Sequence, residues 1–351
     1  MSLKSTVRRN LKMAMITGGL RASMLARRAG LLSSARGRGA IFTLHHVRPK
    51  IERGFDPNGH LEITPEFLDA AILTLKRDGY RFVALSDLPS YLGRERPQQP
   101  IACFTLDDGY RDNAEFAQPV FTDHRVPFTV FVTEGFIDKT HTMWWETLEA
   151  LLAKAGVIDF DFGAGPVSIP AGTVREKIEA FDRISAFIMT GDETAAINQL
   201  NVVARSHGID PELIVERLTL RAAELESLVL NPLAELGAHT VSHRALARLA
   251  EDEAREELRR SADRVQAITG KRPTCLAYPY GDGHSVSTRE HRIARDLGFE
   301  IAVTTRPGTL CDGAIAGPTN LPRISLNGSY QKAEYVAALA SGIPFRLMGR
   351  G

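Results

Sequence analysis

Cysteine is scarce in this chain: Cys103, Cys275 and Cys311 are the only three in 351 residues, an odd number with no Cys-x-x-Cys pair. Such a set offers no disulfide framework, suits core packing better than chemistry, and points to a reducing compartment. Long apolar runs are also missing. Nothing reaches the roughly 18–20 continuous residues of a membrane span, and Met13 to Leu20 is broken by Thr17, Gly18 and Gly19 and followed by Arg21, so no cleavable signal is expected. Acidic residues are absent before Glu52, while Lys4, Arg8, Arg9, Lys12, Arg21, Arg27, Arg28, Arg36, Arg38, Arg48 and Lys50 fall in that stretch. Residues 1–39 therefore read as a basic arm. Its segment from Leu11 to Leu32 could lie as a helix on an anionic membrane, or the arm could be a solvated terminus. Over the whole chain 43 basic residues balance 42 acidic ones, which removes any general attraction to nucleic acid.

What is present is enough apolar side chain, 44% of the composition, for one large core. Short runs rich in Val, Ile, Phe and Thr alternate with helical patterns, the signature of βα units around a parallel sheet or barrel. Strands are expected at Ala40–Val47, Phe82–Leu85, Ile101–Leu106, Phe128–Thr133, Ala234–His239, Cys275–Tyr278, Ile301–Thr304 and Leu321–Leu326. Helices are expected from Thr64-Pro65-Glu66 to about Asp78, from about Glu251 to Thr269 before Gly270, and from Arg289 to Leu297 before Gly298. Residues 40–330 form the expected barrel and 331–351 a tail. Within the barrel, 139–231 reads as a mostly helical insertion with a Gly/Pro-rich break at Gly163–Gly172.

Three strand ends carry chemistry. Phe104-Thr105-Leu106 runs into Asp107-Asp108-Gly109, and adjacent carboxylates at a strand end point in different directions, so one can bind a metal while its neighbour faces the water on it. Gly237-Ala238 runs into His239-Thr240-Val241-Ser242-His243, and histidines four apart can close on one divalent ion. Two nitrogens and one oxygen leave open positions, the pattern of a catalytic metal rather than a structural one. Ala277-Tyr278-Pro279-Tyr280-Gly281 is a strand end entering a turn that could present a backbone N–H to that metal. The alternating charges from Glu251 to Arg260 read as a solvated helix face.

In this order, over roughly Ile41 to Leu326, the motifs resemble those of the polysaccharide deacetylase family, which includes the nodulation-type chitooligosaccharide deacetylases. The resemblance implies an α/β fold, a distorted (β/α)7 barrel. It implies Asp107 as general base, Asp108, His239 and His243 as ligands of a divalent metal, Zn²⁺ foremost with Co²⁺, Mn²⁺ or Ni²⁺ as alternatives, and Tyr280 as the donor whose backbone N–H holds the oxyanion. Two positions depart from the family pattern. Ala277 stands where an arginine commonly orients the base, and Arg323 is the expected substitute. The last strand lacks the histidine that protonates the leaving amine. Thr43-Leu44-His45-His46-Val47 resembles the start of a permuted branch in which that histidine comes first, which makes His45 the acid, with His46 its neighbour on the substrate and open to exchange with it by a one-residue slip. His284 is held in reserve. Trp145, beside Trp144, could stack on a sugar ring or pack in the insertion.

The function implied is removal of N-acetyl groups from hexosamine residues of an oligo- or polysaccharide, so the expected partner is an acetylated glycan. An O-acetyl esterase or small-molecule amide hydrolase on the same barrel, and a non-catalytic glycan-binding barrel, are the alternatives. The expected location is the cytoplasm, with peripheral contact at the inner membrane face through the basic arm.

Overall fold

The computed structural model describes residues 17–27, 29–92 and 99–349. Seven parallel strands close a barrel: β1 (Gly39–Leu44), β2 (Ile101–Leu106), β3 (Phe128–Val132), β4 (Ala234–Ala238), β5 (Cys275–Ala277), β6 (Ile301–Pro307) and β7 (Leu321–Ser325). Each pairs with its neighbour in chain order, and β1 pairs with β7 to complete the ring. Closure explains the composition of the strands, since β1, β2, β3 and β5 are buried at every position. Distortion enters where β4 meets β5 through one matched pair, Ala238 with Leu276, and where the register of β6 on β7 shifts between Val303 and Pro307.

Two expected strands turn out differently. Ala40–Val47 breaks at His45, and His46–Val47 leaves the barrel to pair with Glu62–Ile63. Phe82–Leu85 shrinks to Arg81–Phe82, which lies against the first residues of β2 on the side that β3 takes over further along. Eight candidates thus become seven staves. The helices begin and end where their caps require: the Thr64 hydroxyl accepts from the Phe67 N–H at 3.1 Å, and Gly270 ends Glu251–Thr269 at φ 73°.

The segment 139–231 is helical in Trp144–Lys154, Val174–Thr190, Glu193–Ser206, Pro211–Leu218 and Ala222–Leu228. It also contains an antiparallel hairpin, Val157–Asp161 with Pro166–Pro170, where a helix break alone was expected. The hairpin buries Ile158, Phe160 and Ile169 with Leu148, Leu151 and Ile184 in a core of its own. Residues 331–351, expected as a tail, form helices Ala333–Ala340 and Ile343–Leu347, and Val336, Ala340 and Phe345 join the barrel's outer core. Of the basic arm, Lys4, Arg8, Arg9, Lys12 and Arg28 lie outside the described residues.

Candidate active site

The carboxyl ends of the staves deliver the polar groups into one mouth. Along a strand Asp107 and Asp108 would face opposite ways, but Asp108 adopts φ 72° and Gly109 φ 67°, and this turn brings both carboxylates into the mouth. Thr240, His243 and Tyr280 also have positive φ, at 65°, 58° and 58°. Left-handed backbone at a residue with a side chain costs about 1–3 kcal/mol and persists where the surroundings enforce it, commonly at functional sites.

Asp108 Oδ1 stands 3.5 Å from His239 Nε2 and 3.2 Å from His243 Nε2, all three residues buried. The His239 Nδ1 lies 2.7 Å from the Ala277 carbonyl. A carbonyl only accepts, so Nδ1 carries the proton there and Nε2 is left with a lone pair aimed at Asp108. Among the described residues Asp108 Oδ1 has no hydrogen-bond partner despite its burial. Burial works against its charge, but the two histidines beside it hold its carboxyl well below the usual range. One oxygen and two nitrogens within 4.8 Å of one another, with that orphaned anion among them, fit a divalent cation.

Asp107 has a different partner. Arg323, 1% exposed on β7, donates from Nη1 and Nη2 to the two Asp107 oxygens, each at 2.7 Å, while its Nε donates to the Thr304 carbonyl at 2.9 Å and Nη1 also reaches Thr105 Oγ1 at 3.1 Å. Burial would raise the Asp107 pKa, but the guanidinium charge and this fork keep it below the ordinary value. The place left open at Ala277 is therefore occupied from the last stave.

His45 sits half-buried just past β1 and feels the charges of Asp107, Asp108, Arg323 and His239; burial, the largest effect, lowers its pKa. His46 faces away from that centre. Expected beside the substrate, it is instead 1% exposed, with Nδ1 2.5 Å from Asp112 Oδ2, Nε2 3.5 Å from Glu146 and its ring 3.6 Å from that of Tyr110. Burial would lower the His46 pKa, yet the hydrogen bonds and charges of Asp112 and Glu146 outweigh it and raise the pKa to about 9.

Trp145, for which sugar stacking and packing in the insertion were both open, is 7% exposed and packs its ring 4.9 Å from that of His243, with its N–H donating to the Tyr110 hydroxyl at 2.9 Å. It buttresses the histidine rather than presenting a face to solvent. His284 is exposed on a turn closed by Asp282, whose carboxylate accepts from the His284 N–H at 2.8 Å. The Tyr280 ring packs 5.1 Å from that of His243 and its hydroxyl donates to Glu193 at 2.6 Å and accepts from Trp144 at 2.8 Å, while its main chain lies in the turn that follows β5. Among the described residues the Tyr280 N–H has no acceptor.

Three supporting residues escaped the sequence reading. Glu257, inside the helix expected to be a solvated face, is buried and accepts from the Val241 and Ser242 N–H groups at 2.8 Å each and from the Ser242 hydroxyl at 2.6 Å, clamping the loop between the two histidines. Glu193, from the insertion, accepts from Tyr280 and from the Ala245 N–H at 3.1 Å. Tyr110 packs its ring, tilted by 34°, against that of His46. Charge periodicity gives no sign of such acceptors, because their donors come from distant segments.

Residues 187–302 match the family model described as polysaccharide deacetylase. That match includes His239, His243 and Tyr280 and leaves out the aspartate pair. No curated protein matches the chain. Among solved structures, the deacetylase PplD of Streptococcus pyogenes, in complex with acetate, is 16% identical, with a TM-score of 0.54 over 82% of this chain and 92% of that one. IcaB from Ammonifex degensii is 17% identical, with a TM-score of 0.54 over 86% and 96%. A polysaccharide deacetylase from Bacillus cereus is 15% identical, with a TM-score of 0.53 over 86% and 68%. At these identities the likeness is one of fold, the closed seven-stranded barrel.

Proposed function

Taking the chain as a member of the polysaccharide deacetylase family, on the match over 187–302 and the shared barrel, we propose that it is a metal-dependent hydrolase that removes N-acetyl groups from hexosamine residues of an oligo- or polysaccharide. The observation that carries this reading is the juxtaposition of two differently partnered carboxylates: Asp108 with His239 and His243, and Asp107 gripped by Arg323. The first set would hold the cation, which when bound lowers the pKa of water and polarises the scissile carbonyl.

The chain's own groups supply the rest. Asp107, kept ionised by Arg323, takes the proton of the attacking water. The Tyr280 N–H, which has no other acceptor among the described residues, donates to the oxygen that becomes negative in the tetrahedral state. His45 gives a proton to the nitrogen as the carbon–nitrogen bond breaks, which is needed because an amide anion leaves poorly. Zn²⁺ is the cation we favour. The unpaired cysteines support a cytoplasmic location, where the substrate would be a glycan still on its carrier.

The test is acetate release from N-acetylglucosamine oligomers by protein stripped of metal and then reloaded, beside Asp107→Asn. Metal-dependent release that the variant loses is the expected result; no release from any oligomer by loaded protein rejects the amide reading. An O-acetyl ester is the second reading, favoured by the lowered pKa of His45, since an ester leaving group needs less help from an acid.

A further inference from the structure

The two ends of the described chain meet on one face, away from any role given to the barrel mouth. The helix over residues 17–27 is not free to lay its apolar side on a surface, because Leu20 and Met24 already pack on Tyr335, Ala338 and Leu339 of the helix Ala333–Ala340. A hydrogen bond of 3.2 Å from Arg346 to the Ser34 hydroxyl joins the same two ends. Arg27, Leu31 and Arg36 line one cavity with Ser341 and Ile343.

This docking leaves a second apolar set uncovered. Leu25, Leu31, Leu32, Leu347 and Met348 are 66%, 59%, 40%, 62% and 58% exposed, which puts five of the protein's exposed large hydrophobics at the joined ends. Residues 29–34 and 346–349 are exposed without a break. Basic groups rim them: Arg21, Arg27 and Arg346 are exposed and Arg36 is partly so, with Asp78 as the acidic neighbour, paired to Arg27. In sequence the preceding residues add Lys4, Arg8, Arg9 and Lys12 and no acid.

We propose that this joined-terminus face docks on the surface of an anionic lipid bilayer, with Leu31, Leu32, Leu347 and Met348 entering the headgroup boundary and the surrounding arginines contacting lipid phosphates. Each signal alone is weak. A short apolar patch gives marginal and reversible membrane binding, and basic residues act only within a Debye length of a negative surface. Together they select an anionic bilayer over both a neutral one and a soluble acidic protein, since the latter would leave the leucines wet.

The test is co-sedimentation of the full chain with phosphatidylcholine vesicles made with and without phosphatidylglycerol, at low and high salt. Binding should need phosphatidylglycerol and weaken with salt. Leu31→Asp combined with Leu347→Asp should lower the affinity at least about tenfold, and Arg21→Glu combined with Arg346→Glu should do likewise. Leu213→Asp, an exposed leucine on the insertion, should change nothing. Circular dichroism of each variant separates lost binding from lost fold. Equal binding to neutral vesicles, binding unmoved by both double variants, or a concentration-dependent dimer that the leucine pair abolishes in the absence of lipid would overturn the proposal.

Discussion

Arg323 grips Asp107 with two parallel hydrogen bonds of 2.7 Å, from β7 to the end of β2, across the stave that carries His45. The fork orients one carboxylate as well as neutralising it, which a point charge cannot do. Arg323→Lys should retain the metal, measured by atomic absorption, and lose about 10- to 100-fold in kcat, as is usual for partners of catalytic groups. Arg323→Met should instead unfold at lower urea, by about 3–5 kcal/mol, because it leaves a buried carboxylate without a counter-charge. An Arg323→Lys enzyme of full activity would show that the fork is structural only.

His45→Ala separates amide from ester. General acid catalysis contributes about 10²–10⁴-fold, so the variant should lose that much on N-acetyl oligomers and far less on an O-acetyl ester of the same sugar. Equal losses on both would mean that His45 serves binding or structure. His46→Ala should not imitate it, since the His46 ring is enclosed by Asp112, Glu146 and Tyr110.

What could be read from sequence follows a physical line. Staves β1, β2, β3 and β5 were legible because a closed parallel barrel buries both faces of its strands, so they appear as near-continuous apolar runs. Asp107, Asp108, His239 and His243 were legible because the chain delivers them in two tight clusters at strand ends. The hairpin at 157–170 was not, although Ile158 and Phe160 alternate with Asp159 and Asp161, because the neighbouring glycines and prolines read as a break. Glu257 was not legible either. A carboxylate in a run of alternating charge looks solvated until the loop it holds is folded on top of it. The split after Leu44 is likewise tertiary: the Leu44 carbonyl accepts the Asp107 N–H at 3.0 Å, and the next residues go to Glu62–Ile63 instead of β7.

Glu257 lends itself to a clean test because it touches no proposed ligand side chain. Its carboxylate takes the Val241 and Ser242 N–H groups, between two residues held in left-handed backbone, Thr240 and His243. Glu257→Gln weakens those charge-assisted bonds and the contact to Arg244. Zn²⁺ affinity by calorimetry should fall about 10- to 100-fold with the far-ultraviolet dichroism unchanged. Unaltered affinity would mean that packing alone fixes the loop.

The enclosed His46 makes a pH prediction whose sign is fixed by its neighbours. Its pKa is raised from 6.5 to about 9 in the fold by Asp112 and Glu146, against the opposing effect of burial. A histidine raised in the folded state contributes stability that is complete below its unfolded pKa and disappears as pH climbs through the folded one. The window therefore runs from about 6.5 to about 9, and the shift corresponds to on the order of 3 kcal/mol. Glu149, raised by burial to about 7, also loses stability with rising pH in part of this window, so wild type alone cannot isolate the histidine. Urea unfolding of wild type beside His46→Gln and Asp112→Asn resolves the two: both variants should be less stable at the acid end and converge toward wild type near pH 9. Variants that run parallel to wild type across the window would show that His46 is held neutral, with packing against Tyr110 as its main contribution.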